Sequence, residues 1–300
     1  MNTVHHVDMN SKTLICAERP VPVGGPLTTE ARLRAILARV GENGFQSIED
    51  LAALYHVSTQ TIRRDVNSLC DRGLCRRRHG GVDVLPESEN IAYSARKILY
   101  REAKQRIARC VTNAVPEGSS LFIGIGTTPE QCAQALADRA HLRVMTNNLN
   151  VAQVLSRNPT CEVTIAGGRL RNLDCDVIAG ESHGFFARFA VDIGIYGVGG
   201  VSEDGSLLDF NHDEVLMRTE LAKYCRQRFL VLDHSKFGRG ATVRGGHITE
   251  VSCVFTDQAV PPHIAAMLDE AGVALIVAPA APSTACASAT HVVSVTSPTL

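Results

Sequence analysis

The stretch Val57-Ser58-Thr59-Gln60-Thr61-Ile62-Arg63-Arg64-Asp65-Val66-Asn67-Ser68-Leu69 decides how the N-terminal part of the chain folds. Ile62, Val66 and Leu69 fall at i, i+4 and i+7, so at ~100° per residue they share the inner face of a helix. Gln60, Arg63, Arg64 and Asn67 then point outward. Ser58 is placed to cap this helix, because its hydroxyl can accept a free N–H of the first turn. The helix is expected to run to about Asp71 and to end at Gly73. Upstream, Leu33, Ile36, Leu37 and Val40 lie at helical spacing, with Gly41 and Gly44 to stop that helix. Ser47 caps a second short helix, with Asp50 as capping-box partner and Ile48, Leu51 and Ala52 facing inward. His56-Val57 makes a tight turn. Downstream, Leu74–Val84 reads as a hairpin bent at Gly80-Gly81. Such a succession is a winged helix-turn-helix, whose second helix of the pair enters the major groove of DNA.

The outward side chains agree with that use. Gln, Asn and Arg suit bidentate contacts with base edges. From Arg63 to Arg78 six arginines (63, 64, 72, 76, 77 and 78) stand against two aspartates (65 and 71), a local net of +4. Ser58, Thr59, Gln60, Thr61, Arg63, Arg64 and Asn67 are therefore candidate DNA contacts on the helix. Arg76, Arg77, Arg78, His79, Gly80 and Gly81 are candidates on the wing, where contact with phosphate or minor groove gives affinity more than sequence choice. A helical cap with a solvated charged face is the plainer alternative. The outward polar face, the basic patch and the hairpin together weigh against it.

Composition sets the frame around this module. The chain has 300 residues, with 45% hydrophobic and 20% charged, an ordinary globular balance for about two domains. Its formal net charge is −1, so any nucleic-acid surface must be local. The ten cysteines are scattered, with no C-x-x-C pair and no zinc-ligand spacing, so reduced thiols are expected and neither a metal nor a cofactor is implied. No secretory pattern opens the chain, and no run approaches the ~18 apolar residues of a membrane span. A cytoplasmic protein without a membrane partner is expected.

From about Arg101 helix and strand alternate. Short apolar strands recur at Leu121–Ile123, Leu142–Met145, Val163–Ala166, Ile193–Val198, Phe229–Leu232, Cys253–Phe255 and Ala274–Val277. This is the pattern of an α/β domain with a mostly parallel sheet. The expected organisation is a flexible leader (1–27), the winged helix-turn-helix (28–85), a linker (86–100), an α/β effector domain (101–279) and a flexible tail (280–300).

The first strand runs into Gly124-Ile125-Gly126-Thr127-Thr128-Pro129-Glu130-Gln131. Pro129 fits the first position of a helix, Thr128 its cap and Gln131 a capping-box partner. Glycines admit a ligand close to the backbone, and the free N–H groups of a helix N-terminus suit a phosphate. Neither a Walker loop nor a full G-x-G-x-x-G is present. A plain tight turn at a strand end remains an equal reading of this loop by itself. Thr146-Asn147, Gly167-Gly168 and Asp233-His234-Ser235-Lys236 also follow strands, where open α/β sheets bind ligands. Gly124, Gly126, Thr127, Thr128, Thr146, Asn147, Gly167, Gly168, Asp233 and Lys236 are thus candidate ligand contacts.

The run Val57–Asp65 followed by Arg78-His79-Gly80-Gly81 resembles the DNA-binding signature of the DeoR family of bacterial transcriptional regulators. Four further stretches carry the likeness into the second domain: Gly126–Glu130, Thr146–Ala152, Asp204–Phe210 with Glu214-Val215, and Asp233–Arg239. Together it spans roughly residues 28–277. The resemblance implies a repressor that binds operator DNA as a homo-oligomer, dimer or tetramer, and leaves it when a small phosphorylated metabolite binds. It adds Glu214 to the ligand contacts and favours glycerol 3-phosphate as effector, with another sugar phosphate as the alternative. It also implies an effector domain similar to ribose-5-phosphate isomerase, so an enzyme is the rival reading. Those enzymes use aspartates where Tyr196 and Gly199 stand here, and proton transfer needs a titratable group there. The resemblance therefore implies a retained pocket without catalysis.

Overall fold

The computed structural model describes residues 27–84, 93–172, 174–178 and 184–280. The expected leader and tail, apart from Leu27 and Ala280, and residues 86–92 of the expected linker lie outside these.

The N-terminal head comprises α1 (Thr29–Asn43), β1 (Gln46–Ser47), α2 (Ile48–Tyr55), α3 (Thr59–Asp71), β2 (Arg76–Arg78) and β3 (Gly81–Asp83). Helix α1 passes through Gly41 and stops at Gly44, whose φ of +69° closes it. Ser47 accepts the Asp50 N–H at 3.0 Å, and Ser58 accepts the Thr61 N–H at 3.1 Å. Between α2 and α3, His56 takes a left-handed φ of +53°. Ile36, Leu51, Ile62, Val66 and Leu69 close one apolar core, which is what fixes the outward face of α3. In the wing Arg78 pairs with Gly81, so the turn is His79-Gly80, one residue earlier than the sequence suggests. Gly81 belongs to β3. A Cβ there would lie 2.2 Å from the Gln46 carbonyl oxygen on β1, so only glycine lets the strands meet.

Next come α4 (Tyr93–Ile98), inside the expected linker, and α5 (Arg101–Ala114). The effector domain follows as β4 (Ser120–Ile123), α6 (Thr127–Ala135), β5 (Arg143–Thr146), α7 (Leu149–Leu155) and β6 (Glu162–Ile165). A hairpin, β7 (Arg169–Arg171) and β8 (Asp176–Ile178), leads to β9 (Val191–Tyr196), β10 (Gly200–Val201), β11 (Ser206–Asp209) and α8 (His212–Lys223). The described part closes with β12 (Cys225–Val231), β13 (Val243–His247), β14 (Cys253–Thr256), α9 (Pro262–Glu270) and β15 (Ala274–Val277).

Among the described residues seven strands form one sheet in the order β15-β14-β12-β9-β4-β5-β6, every pair parallel. They are the seven strands expected from the sequence. Alternation along β4 shows why both faces are dry: Leu121 and Ile123 pack toward α5, α6 and α7, while Phe122 packs on the opposite side with Met217 and Leu221 of α8. The chain starts in the middle at β4, moves out through β5 and β6, then returns to β9 on the other side of β4. The β4–β9 junction is therefore a topological switch point, where the loops leaving the strand ends part and open a crevice. No helix among the described residues is long and apolar enough to cross a membrane.

Candidate functional site

On the head, Ser58, Thr59, Gln60, Arg63, Arg64 and Asn67 are exposed, and Thr61 is partly covered with its hydroxyl 2.9 Å from that of Ser58. Asp65 does not share this surface. It is 4% exposed, and its carboxylate takes Arg32 Nε at 2.6 Å, tying α3 to α1. The outward face is thus more basic than a charge count along the sequence gives. On the wing Arg76, Arg77, Arg78, His79 and Gly80 are exposed, whereas Gly81 is buried. Asp83 lies opposite Arg76, with Arg76 and Arg78 at 3.2 and 3.1 Å. Burial acts upward on that carboxyl, but the bonds from Arg76 and the Val84 N–H, with both arginine charges, hold it below its usual range. Arg77 points to the other side of the hairpin, with Val82.

In the effector domain a cavity of about 60 Å³ opens at the switch point between the ends of β4 and β9. Gly126, Thr127 and Thr128 form one wall and Gly197, Val198 and Gly199 another. Helix α6 begins differently from the sequence expectation. Its cap is Gly126, with φ +117° and no side-chain bond, and Pro129 is the third helical residue. Gln131 bonds Gln134 at 2.9 Å rather than completing a capping box. The Thr127 and Thr128 N–H groups therefore begin the helix with no intrahelical acceptor.

Charged side chains from distant segments complete the cavity. Arg96 comes from α4 and pairs with Asp174. Arg171 of β7 is bound by Asp176 at 2.6 Å, Glu214 at 2.5 Å and Asp174 at 3.2 Å. Asp209 accepts the Gly199 N–H at 2.7 Å and Arg218 Nη2 at 2.9 Å. Burial pushes the Asp176, Asp209 and Glu214 carboxyls up, against the pull of Arg171 and Arg218. Arg239 donates to the Gly199 carbonyl at 3.3 Å and stacks 4.8 Å over the Phe210 ring. Lys236 sits on a short 3-10 turn, His234–Lys236, capped by Asp233. Its ammonium makes no hydrogen bond or ion pair among the described residues. Burial pushes it down to about 7, opposed by Asp233 and reinforced by Arg239, Lys104 and Arg96.

Of the ligand residues expected from sequence, Gly126, Thr127, Thr128, Glu214 and Lys236 line this cavity. The others do not. Gly124 lies behind it, donating to the Ile195 carbonyl at 2.9 Å. Thr146 is buried and bonds the Ile123 carbonyl at 2.6 Å, and Asn147 bonds the Val177 carbonyl at 3.0 Å to hold the β7–β8 hairpin in place. Gly167 and Gly168 are exposed beyond β6, at the sheet edge. Asp233 does not line the cavity but acts on Lys236 and Arg239, which do. The sequence reading missed Tyr93, Arg96, Arg171, Asp174, Asp176, Asp209 and Arg239. Part of this set had a signal in the sequence: the dense run of charges at Arg169–Asp176 after an apolar strand, and the stretches Asp204–Phe210 and Asp233–Arg239 that carry the family likeness.

The rival catalytic arrangement is absent at the positions that matter. Burial pushes the Tyr196 hydroxyl well above its ordinary value, so it stays protonated. A Cβ on Gly199 would lie 2.9 Å from the Leu208 carbonyl oxygen and 3.0 Å from the Phe210 ring, leaving no room for a carboxylate.

The model of the DeoR C terminal sensor domain matches residues 100–258, and that of the DeoR-like helix-turn-helix domain matches residues 32–88. The chain belongs to the DeoR family. Its relatives include the glycerol-3-phosphate regulon repressor of Escherichia coli (strain K12), 43% identical over 79% of this chain and 93% of that protein. The protein of the same name from Haemophilus influenzae is 42% identical over 80% and 93%. The HTH-type transcriptional repressor CsqR of Escherichia coli is 36% identical over 83% and 96%. A solved ribose 5-phosphate isomerase A from Methanocaldococcus jannaschii overlaps with a TM-score of 0.35, at 13% identity over 46% of this chain and 55% of that one, too slight to carry weight. This DeoR-family chain is a transcriptional repressor and not an enzyme.

Proposed function

We propose that the repressor holds operator DNA with α3 and the wing, and releases it when a small phosphorylated metabolite, glycerol 3-phosphate, enters the cavity at the β4–β9 switch point. The genes under its control are then those of glycerol and glycerol 3-phosphate metabolism, and the working form is a homo-oligomer, dimer or tetramer. The observation that carries this reading is the lining of the cavity, which holds both cations and carboxylates. Its lining offers Lys236, whose ammonium has no hydrogen bond or ion pair among the described residues, with Arg239, Arg96 and the free N–H groups of α6, which suit a phosphate. The same lining offers Asp176, Asp209 and Glu214, acceptors for hydroxyl groups. The kinship with two proteins named glycerol-3-phosphate regulon repressor supports the same ligand.

Thermal unfolding of the full chain against a panel of small phosphorylated metabolites, with inorganic phosphate beside them, tests the reading. A ligand at about 100 times its Kd adds about 2.7 kcal/mol, enough to raise the midpoint by a few degrees. Glycerol 3-phosphate is expected to give the largest rise. A rise with another sugar phosphate alone replaces the effector and keeps the repressor. No rise with any of them contradicts the cavity assignment.

A further inference from the structure

Helix α4 is more than a spacer between head and effector domain. Tyr93 is buried, donates its hydroxyl to Glu130 and accepts the Asn150 amide at 2.8 Å. Lys97 Nζ lies 2.7 Å from Glu130 Oε1. Glu130 stands on α6, three residues after Thr127 at the cavity wall. Arg96 enters the cavity itself, beside Thr127, Lys236 and Arg239. Beyond α4, Lys104 Nζ donates to the Arg96 carbonyl at 2.5 Å and to the Leu99 carbonyl at 2.7 Å. Leu99 in turn packs on the apolar core of the head. One short segment therefore touches the cavity at Arg96 and the DNA-reading domain at Leu99.

Arg96 has a second partner within the same cavity once an anion arrives. Its guanidinium is paired with Asp174, and a phosphate at Lys236 and Arg239 would offer it a bidentate alternative. Breaking a buried ion pair is normally opposed because one charge is stranded. Here it is not: Arg171 Nε lies 3.2 Å from the other oxygen of Asp174 and remains as its partner. The two states thus differ in a contact that the ligand itself makes, which is what coupling between sites requires.

We propose that Arg96 is a ligand of the effector's phosphate, and that its transfer from Asp174 to that phosphate carries occupancy of the cavity through α4 and Leu99 to the head. The proposal rests on the reading of the cavity as a small-phosphate site. Its test uses the full chain, with glycerol 3-phosphate and inorganic phosphate as probes. Calorimetric titration reads affinity and amide hydrogen exchange reads the response. Binding to the wild type is expected to alter exchange at residues 127–131, at 93–100 and within 29–84. Arg96→Gln should bind about tenfold more weakly or worse. At saturation it should keep the response at 127–131 and lose it at 93–100 and in the head. Arg96→Lys, which keeps the charge without the fork, should fall between. Asp174→Asn, which releases Arg96 from its carboxylate, should bind more tightly, and its head should still change exchange only when a probe is present.

An Arg96→Gln chain that binds within about twofold of wild type overturns the ligand assignment. One that binds weakly yet shows the full head response at saturation overturns the relay. Lys236→Gln separates the two levels. If it abolishes binding while Arg96→Gln does not weaken it, the phosphate site stands and the role of Arg96 falls. If neither substitution weakens binding, or the wild type binds neither probe, the cavity reading falls with it.

Discussion

Lys236 is the residue whose chemistry is most tied to the proposed ligand. Burial and the charges of Arg239, Lys104 and Arg96 bring its ammonium down to about 7. Below that pH it is charged and attracts an anion; above it the charge is lost. A bound phosphate favours the charged form, so binding should take up protons at a pH of about 7.5 to 8, and affinity should fall as pH rises through that range. The second ionisation of a phosphomonoester, near ~6, acts below this window. Calorimetric titration in two buffers of different ionisation enthalpy measures the uptake, and identical heats in both would contradict it. Asp65 illustrates the opposite limit of legibility. Read along the sequence it is one more charge on a DNA-facing helix. Only its pairing with Arg32, 33 positions earlier, shows that it is a buried strut. Arg64, whose exposure follows from the spacing of Ile62, Val66 and Leu69, needed no such information.

At the level of elements, the seven strands of the large sheet were legible because each carries a short apolar run, which in β4, β9 and β14 is buried on both faces. Strands β7, β8, β10, β11 and β13 were not. Arg169-Leu170-Arg171 has no apolar pattern, and its partner β8 is held by Asn147 and by the Cys175–Leu149 backbone bond, contacts made across the fold. The start of α6 was misplaced because Thr128-Pro129 looks like a cap and a first helical residue. Proline needs no N–H anywhere in a first turn, so Gly126 can begin the helix earlier. The wing gives a prediction at this scale. Arg76 and Arg78 are already partly neutralised by Asp83, whereas Arg77 is not. Arg77→Ala should lower the slope of log affinity against log salt by about 0.9 per bound head, and Arg76→Ala by less. DNA titrations from low to moderate salt measure it. An unchanged slope for Arg77→Ala would remove that side chain from the phosphate contacts.

For the molecule as a whole, the cavity draws on Arg96, Thr127, Arg171, Asp209 and Lys236, residues spread over some 140 positions and joined only by the crossing of the chain at the switch point. Local pattern could find the loop after β4 and the turn bearing Lys236. It could not find Arg96 of α4, or show that the charges of the β7–β8 hairpin and of β11 meet there. The head has its own apolar core, separate from those on the two faces of the large sheet. With a core of its own, α3 holds its outward face independently of the large sheet. The most direct measurement is the affinity of the full chain for DNA that it selects from a random pool, titrated with glycerol 3-phosphate at constant ionic strength. The account predicts a fall of about 5- to 150-fold, the usual range of coupling between sites, saturating where the thermal shift saturates. DNA affinity that stays constant while glycerol 3-phosphate demonstrably binds would contradict it.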